Sequence, residues 1–314
     1  MTYAHQPAWR AIQEYLPEAY RLTPVTEPAE EWWLHHGHRI HLDTYRNADA
    51  PVKVILFHGV GTNGRQMSTI LGRPLAERGF ETIAIDMPTY GVTEVADGAL
   101  VTYDEWVQIG SDLIEVERAQ DDRPIVLYGL SAGGMETYHV AALNGHVAGI
   151  VGMTFLDQRV RQVRMETAFD PISGFFGAFL MGLLARTPLR RLRLPMRLVS
   201  KMRALVNDRA AARACYADKT SAGNSATVAF LNSYMAYQPV IEPADFAVCP
   251  VLLTQPAADR WTPLYLSTPV ISQIHGVPVS TVMLENAGHY PLEQPGLDQM
   301  VAAIADFCSA RAQG

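Results

Sequence analysis

Pro124-Ile125-Val126-Leu127-Tyr128-Gly129-Leu130-Ser131-Ala132-Gly133-Gly134 is the stretch on which the fold turns. Its first half is a nearly continuous apolar run, β-branched at Ile125 and Val126. A strand buried on both faces needs such a run. Its second half opens residues 132–143, which have helical character and are closed by Asn144-Gly145. Between strand and helix, Gly129, Ser131 and Gly133 match G-x-S-x-G. The glycines permit a sharp turn that leaves a serine hydroxyl in the open at the strand's end. A serine hydroxyl is a poor nucleophile until a neighbouring base takes its proton. Ser131 therefore calls for a histidine and a carboxylate elsewhere in the chain.

Outward from this stretch, strand and helix patterns alternate. Residues 52–58, 81–86 and 148–156 read as buried strands. Residues 65–78 carry Met67, Ile70, Leu71 and Leu75 at helical spacing, and residues 103–120 carry Trp106, Ile109, Leu113 and Val116. A hairpin precedes them, turning at His36-Gly37. Alternation of this kind predicts an α/β fold, a mostly parallel central sheet with helices on both faces. From residue 157 to 244 the pattern holds helical segments and no clear buried strand. It then resumes with a strand at 251–255, a helix at 264–274, a strand at 279–284 and a closing helix at 297–310. The domain reading is an N-terminal extension over 1–30, an α/β core over 31–156 and 245–314, and an inserted helical cap over 157–244.

The base is expected late in the chain. His289 lies in Asn286-Ala287-Gly288-His289-Tyr290-Pro291, just past the last strand. That is the sheet edge where ligands bind in open α/β folds. The acid must orient the histidine and stabilise its protonated form. Asp259 follows the strand at 251–255 and gives the chain order Ser131, Asp259, His289. Asp157, which ends the preceding strand, is its rival, and the neighbouring Arg260 offers Asp259 an ion pair instead. Asp86 reads as a turn-shaping residue. A tetrahedral intermediate needs backbone N–H donors for its oxyanion. Ala132 supplies one, and Val60, in His58-Gly59-Val60-Gly61, the other. His58 reads as a brace for that loop.

With these residues in view the chain resembles the α/β-hydrolases, in particular their capped serine esterase, lipase and monoacylglycerol-lipase-like branch. The likeness rests on His58-Gly59-Val60-Gly61, Gly129-Leu130-Ser131-Ala132-Gly133-Gly134, Asp259 and Ala287-Gly288-His289. It covers residues 31–156 and 245–312 and does not extend to the cap. The resemblance implies no cofactor and an acyl-serine intermediate formed on an ester with an apolar acyl or alcohol part, of the monoacylglycerol or lysophospholipid type. The same triad serves C–C bond hydrolases and lyases, so fold and triad leave the substrate open. A ligand-binding receptor on a hydrolase scaffold is the reading from another class. Serine at 131, rather than aspartate, speaks against haloalkane dehalogenase and epoxide hydrolase chemistry.

The cap has its own signature. Phe175, Phe176, Phe179, Leu180, Leu183 and Leu184 suggest one apolar helical face lining the substrate pocket, with Gly174, Ala178 and Gly182 off that stripe. Arg186, Arg190, Arg191, Arg193, Arg197, Lys201 and Arg203 follow without an intervening acid. They read either as a basic face for transient contact with a lipid interface or as solvated and paired charges. The uncharged run from Pro171 to Ala185 is too short for a membrane span.

Composition bounds the rest. Charged residues make up 18% and hydrophobic residues 48%, which excludes disorder and a coiled coil. A net charge of −7 gives no global basic field for nucleic acid. Three distant cysteines and an N-terminus with Trp9, Arg10 and Glu14 in place of an apolar run favour a cytoplasmic protein without disulfides. His35, His36, His38 and His41 cluster in the hairpin, but adjacent strand residues point to opposite faces, so no metal site is expected. The oligomeric state is not legible.

Overall fold

Burial sorts the strands before any topology is drawn. β3 (Lys53–Phe57), β4 (Glu81–Asp86), β5 (Ile125–Gly129) and β6 (Gly149–Gly152) are buried at every residue, whereas β1 (Ala29–His35) keeps most of its side chains partly open. In the computed structural model, which describes residues 2–312, the former are interior strands and β1 is an edge. β2 (His38–Tyr45) follows β1 in the hairpin. Two short strands, β7 (Arg193–Pro195) and β8 (Ser225–Thr227), pair with each other outside the main sheet. β9 (Val251–Pro256) is interior and β10 (Val279–Leu284) forms the other edge. The main sheet runs β1-β2-β4-β3-β5-β6-β9-β10, antiparallel over its first two pairings and parallel from there on.

The helices fall in chain order. α1 (Ala8–Gln13) precedes the sheet. α2 (Gly64–Met67) and α3 (Arg73–Ala76) follow β3, then come α4 (Tyr103–Arg118) and α5 (Ala132–Asn144). α6 (Arg161–Thr167), α7 (Pro171–Ala185), α8 (Met196–Val199), α9 (Arg209–Ala217) and α10 (Val228–Ala236) occupy the stretch between β6 and β9. α11 (Thr268–Ile271) lies between β9 and β10, and α12 (Gly296–Ser309) closes the chain. The single helix expected over 65–78 is broken by a π-helical turn at Ser68–Gly72, where the Arg73 amide reaches back to the Ser68 carbonyl. Pro74 has no N–H for the carbonyl of Ile70, so the ladder slips by one residue there.

Residues 2–28 are no loose extension. Tyr3, Trp9 and Ile12 are buried, and the Tyr3 hydroxyl sits 3.0 Å from both carboxylate oxygens of Asp86. Gln6 reaches Asp218 at 2.8 Å, and Tyr20 donates to Asp298 on α12 at 2.7 Å. Asp86 also accepts from the Gly64 and Val92 amides, which makes it the organiser of the turn after β4. No helix among the described residues is long and apolar enough to cross a membrane.

One buried group works against the fold. Glu136 on α5 is fully buried, and neither carboxylate oxygen has a hydrogen-bond partner among the described residues. Burial raises its pKa well above 4.5. A raised folded-state pKa means the native protein holds a proton that the unfolded chain releases above about pH 4.5, so stability declines as pH rises through that window. Glu136→Gln, the neutral isostere, is expected to be more stable than the parent by about 1–3 kcal/mol near pH 8. The gap should narrow towards pH 4.5. Urea midpoints across that range measure it, and a gap that widens on acidification refutes the account.

Candidate active site

Ser131 sits between β5 and α5 with φ +57° and ψ −117°, a conformation L-residues rarely take. The surrounding backbone over-determines it. A Cβ on Gly129 would run into the Gly133 carbonyl, and one on Gly134 into the Thr154 carbonyl. Only hydrogen fits at either place, so strand, turn and helix close to a distance no larger residue allows. The turn holds Ser131 at the wall of a cavity of about 490 Å³, also lined by Val60 and Trp261. The Gly59 loop packs directly on the serine: a Cβ at Gly59 would stand 2.8 Å from the Ser131 Cβ. Among the described residues the Val60 and Ala132 amides make no hydrogen bond.

His289 follows β10 and is 1% exposed, so its ring lies out of bulk water. Its Nδ1 lies 2.9 Å from Asp259 Oδ2 and 3.0 Å from Thr262 Oγ1. The carboxylate accepts, so Nδ1 carries the proton. Nε2 is left bare: it is buried and has no hydrogen-bond partner among the described residues. Asp259 is held by its own loop. Its Oδ1 accepts the Trp261 and Thr262 amides at 2.7 and 2.8 Å, and its Oδ2 accepts the Thr262 hydroxyl at 2.7 Å. Burial by itself would raise this carboxyl, but the facing His289 and the Thr262 bonds outweigh it and hold the pKa at about 2. The Trp261 ring lies 4.7 Å from the His289 ring and so joins the histidine to the cavity wall.

The structure brings Asp259 rather than Asp157 to the histidine. Asp157 is taken by Arg159 at 2.8 Å, and Arg159 in turn pairs with Glu242 at 2.7 Å. Arg260 makes no ion pair with Asp259. His58 accepts the Met87 amide on Nε2 at 3.0 Å and faces the Gly59 carbonyl through Nδ1 at 2.9 Å. Burial lowers its pKa, and both nitrogens brace the loop. Thr262 and Trp261 were not singled out in the sequence. Their signal is an aspartate followed two and three residues later by free amides, which is a local capping turn.

Two expectations need correction. Of the three aromatic residues expected against substrate, Phe176 lines the cavity, but Phe175 and Phe179 do not. Phe179 is 71% exposed. From α7 the cavity is also lined by Ile172, Gly174, Gly177, Leu180 and Met181. α6 lies against this helix: a Cβ on Gly174 would come within 2.5 Å of the Arg164 carbonyl, so no larger residue fits at that position. The second correction concerns the hairpin histidines. His36 leaves the strand alternation with φ +48°, and its ring stacks on His35 at 4.0 Å. Together with Asp112, their donor atoms lie within 4.8 Å of one another, so the argument that the two imidazoles diverge does not hold.

A family model described as the alpha/beta hydrolase family matches residues 54–303. No curated protein matches the chain. Among solved structures, a soluble variant of monoglyceride lipase from Saccharomyces cerevisiae, in complex with a substrate analogue, superposes with a TM-score of 0.72 at 16% identity. It covers 94% of this chain and 98% of that one. A monoacylglycerol lipase of Paleococcus ferrophilus gives 0.64 at 18% identity, over 82% and 94% of the two chains. Epoxide hydrolase A from Mycobacterium thermoresistibile gives 0.59 at 18%, over 90% and 98%. At these identities the likeness is one of fold.

Asp259→Asn keeps the size of the side chain but removes the charge that sets the His289 tautomer. We expect any turnover that depends on His289 to fall on the order of 10⁴-fold, with the thermal midpoint changed far less. Retention of most of the rate would exclude Asp259 from the site's chemistry.

Proposed function

The chain belongs to the alpha/beta hydrolase family, and on that premise we propose that it hydrolyses carboxylic esters with an apolar acyl or alcohol part through an acyl-serine intermediate. One observation carries the reading. His289 is fixed through Nδ1 by an ionised Asp259 while its Nε2 stays buried and unpaired, beside a cavity that Ser131 lines. An imidazole in that state is a ready proton acceptor.

In this reading the Ser131 oxygen attacks the ester carbonyl as His289 Nε2 takes the hydroxyl proton. The Val60 and Ala132 amides, free of other acceptors, receive the oxyanion. Asp259 steadies the imidazolium. Collapse breaks the bond to the leaving alcohol, which departs with the proton from His289. Water then enters, loses a proton to the same nitrogen and adds to the acyl carbonyl. The second collapse frees the acid and returns the proton to Ser131. No step calls for a metal or cofactor. A serine at 131 offers no carboxylate for the ring-opening chemistry of an epoxide hydrolase.

The cavity wall supports an apolar substrate part. Leu156, Phe176, Leu180, Met181, Phe230 and Trp261 line it, and its volume of about 490 Å³ accommodates a chain of several carbons. Phe176 is the aromatic of α7 that would touch that chain. The likeness to two monoglyceride lipases points the same way as to substrate class. Cys215, Cys249 and Cys308 are buried free thiols, which suits a cytoplasmic setting.

A fluorophosphonate probe followed by intact mass and peptide mapping tests the proposal. One adduct on Ser131 is expected, and Ser131→Ala should lose both the adduct and, by several orders of magnitude, the hydrolysis of short p-nitrophenyl esters. A folded protein that takes no adduct and turns over no ester would overturn it.

A further inference from the structure

The outer side of the cap exposes a series of large apolar side chains. On and around α7, Ile172, Phe175, Phe176, Phe179, Leu180 and Leu183 are all exposed, at 46 to 72%. Leu189, Leu192 and Leu198 extend the series into the next segment at 48 to 60%. Monomeric proteins seldom leave that many large apolar side chains together in water. The patch and the cavity are one surface, because Ile172, Phe176, Leu180 and Leu198 also line the cavity.

Charge identifies what covers it. Residues 171–207 contain seven basic side chains and no acidic one, in a chain of net charge −7. Six of the seven are exposed, Lys201 being the exception. Among the described residues none of the seven pairs with a carboxylate. Arg191, Arg193 and Arg203 donate to backbone carbonyls, Arg193 also to the Asn224 side chain, while among the described residues Arg186, Arg190 and Arg197 have no side-chain partner. A second copy of the chain meeting this face about a two-fold axis would set cation against cation. An apolar patch next in sequence to cations that no carboxylate neutralises instead matches acyl chains beneath anionic headgroups.

We infer that the outer face of α7, with the basic segment that follows it, is a docking surface for anionic phospholipid, and that docking sets the cavity mouth against the membrane. Association needs no turnover, so it stands apart from the reaction proposed above. Flotation with vesicles tests it, comparing phosphatidylcholine alone with equal parts phosphatidylcholine and phosphatidylglycerol. The protein should partition onto the anionic vesicles about tenfold or more better than onto the neutral ones, and raised salt should weaken that binding. Leu183→Glu with Leu189→Glu, both outside the cavity wall, should abolish binding and leave hydrolysis of a water-soluble ester unchanged. Arg186→Glu with Arg190→Glu should weaken binding about tenfold or more. The inference is overturned by absence of binding to anionic vesicles, by equal binding to neutral ones, or by variants that bind as the parent does. A dimer in solution that the leucine variants dissolve would assign the patch to a second copy and overturn it as well.

Discussion

At residues 129–134 the end of a strand, the start of a helix and the strand beside them come to backbone contact, and every other feature of the site is placed relative to that contact. The constraint is steric. Gly129 faces the Gly133 carbonyl and Gly134 faces the Thr154 carbonyl with no room for a methyl group. Ser131 is thereby held at φ +57°. Strain of this kind persists only where the surroundings impose it. Here the imposing elements are β5, the start of α5 and Thr154 just past β6, all buried. The Gly59 loop closes on the serine from the other side, and His58 ties that loop to the end of β4 through the Met87 amide.

The hydrogen-bond economy of the acid loop follows from its depth. A carboxylate out of water must be satisfied or it takes up a proton. Asp259 meets two amides, one hydroxyl and one imidazole, and stays ionised. Glu136 meets none and does not. The two acids differ in neighbours rather than in burial. That difference explains why one is fit to orient a histidine and the other only costs stability.

The core of this arrangement was legible in the sequence because periodicity reports burial. Apolar runs at 52–58, 81–86 and 124–129 mark strands, and the intervening helices carry their faces at helical spacing. The strand-turn-helix context marks Ser131, and chain order marks Asp259 and His289. What was hidden depends on distance rather than pattern. Thr262 matters because the loop folds back, and no spacing rule names it. α7 is apolar on nearly every side, so its sequence cannot say which side faces in. In the fold the α6 backbone lies against Gly174. His36 likewise escapes the strand rule only because the turn places it at φ +48°. Residues 2–28 carry no periodic signal, and their burial rests on single anchors such as Tyr3 against Asp86.

Those anchors bear on how the chain acquires its structure over time. Gln6 finds its partner 212 positions later, and Tyr20 finds its own 278 positions later, on the last helix. Contacts so distant along the chain form late, because the entropy of closing the intervening loop is lost before they return anything. Gln6 must therefore wait for Asp218, and Tyr20 for the closing helix, until the chain between has been made and folded. The order of synthesis and the order of assembly run in opposite directions at this end of the molecule.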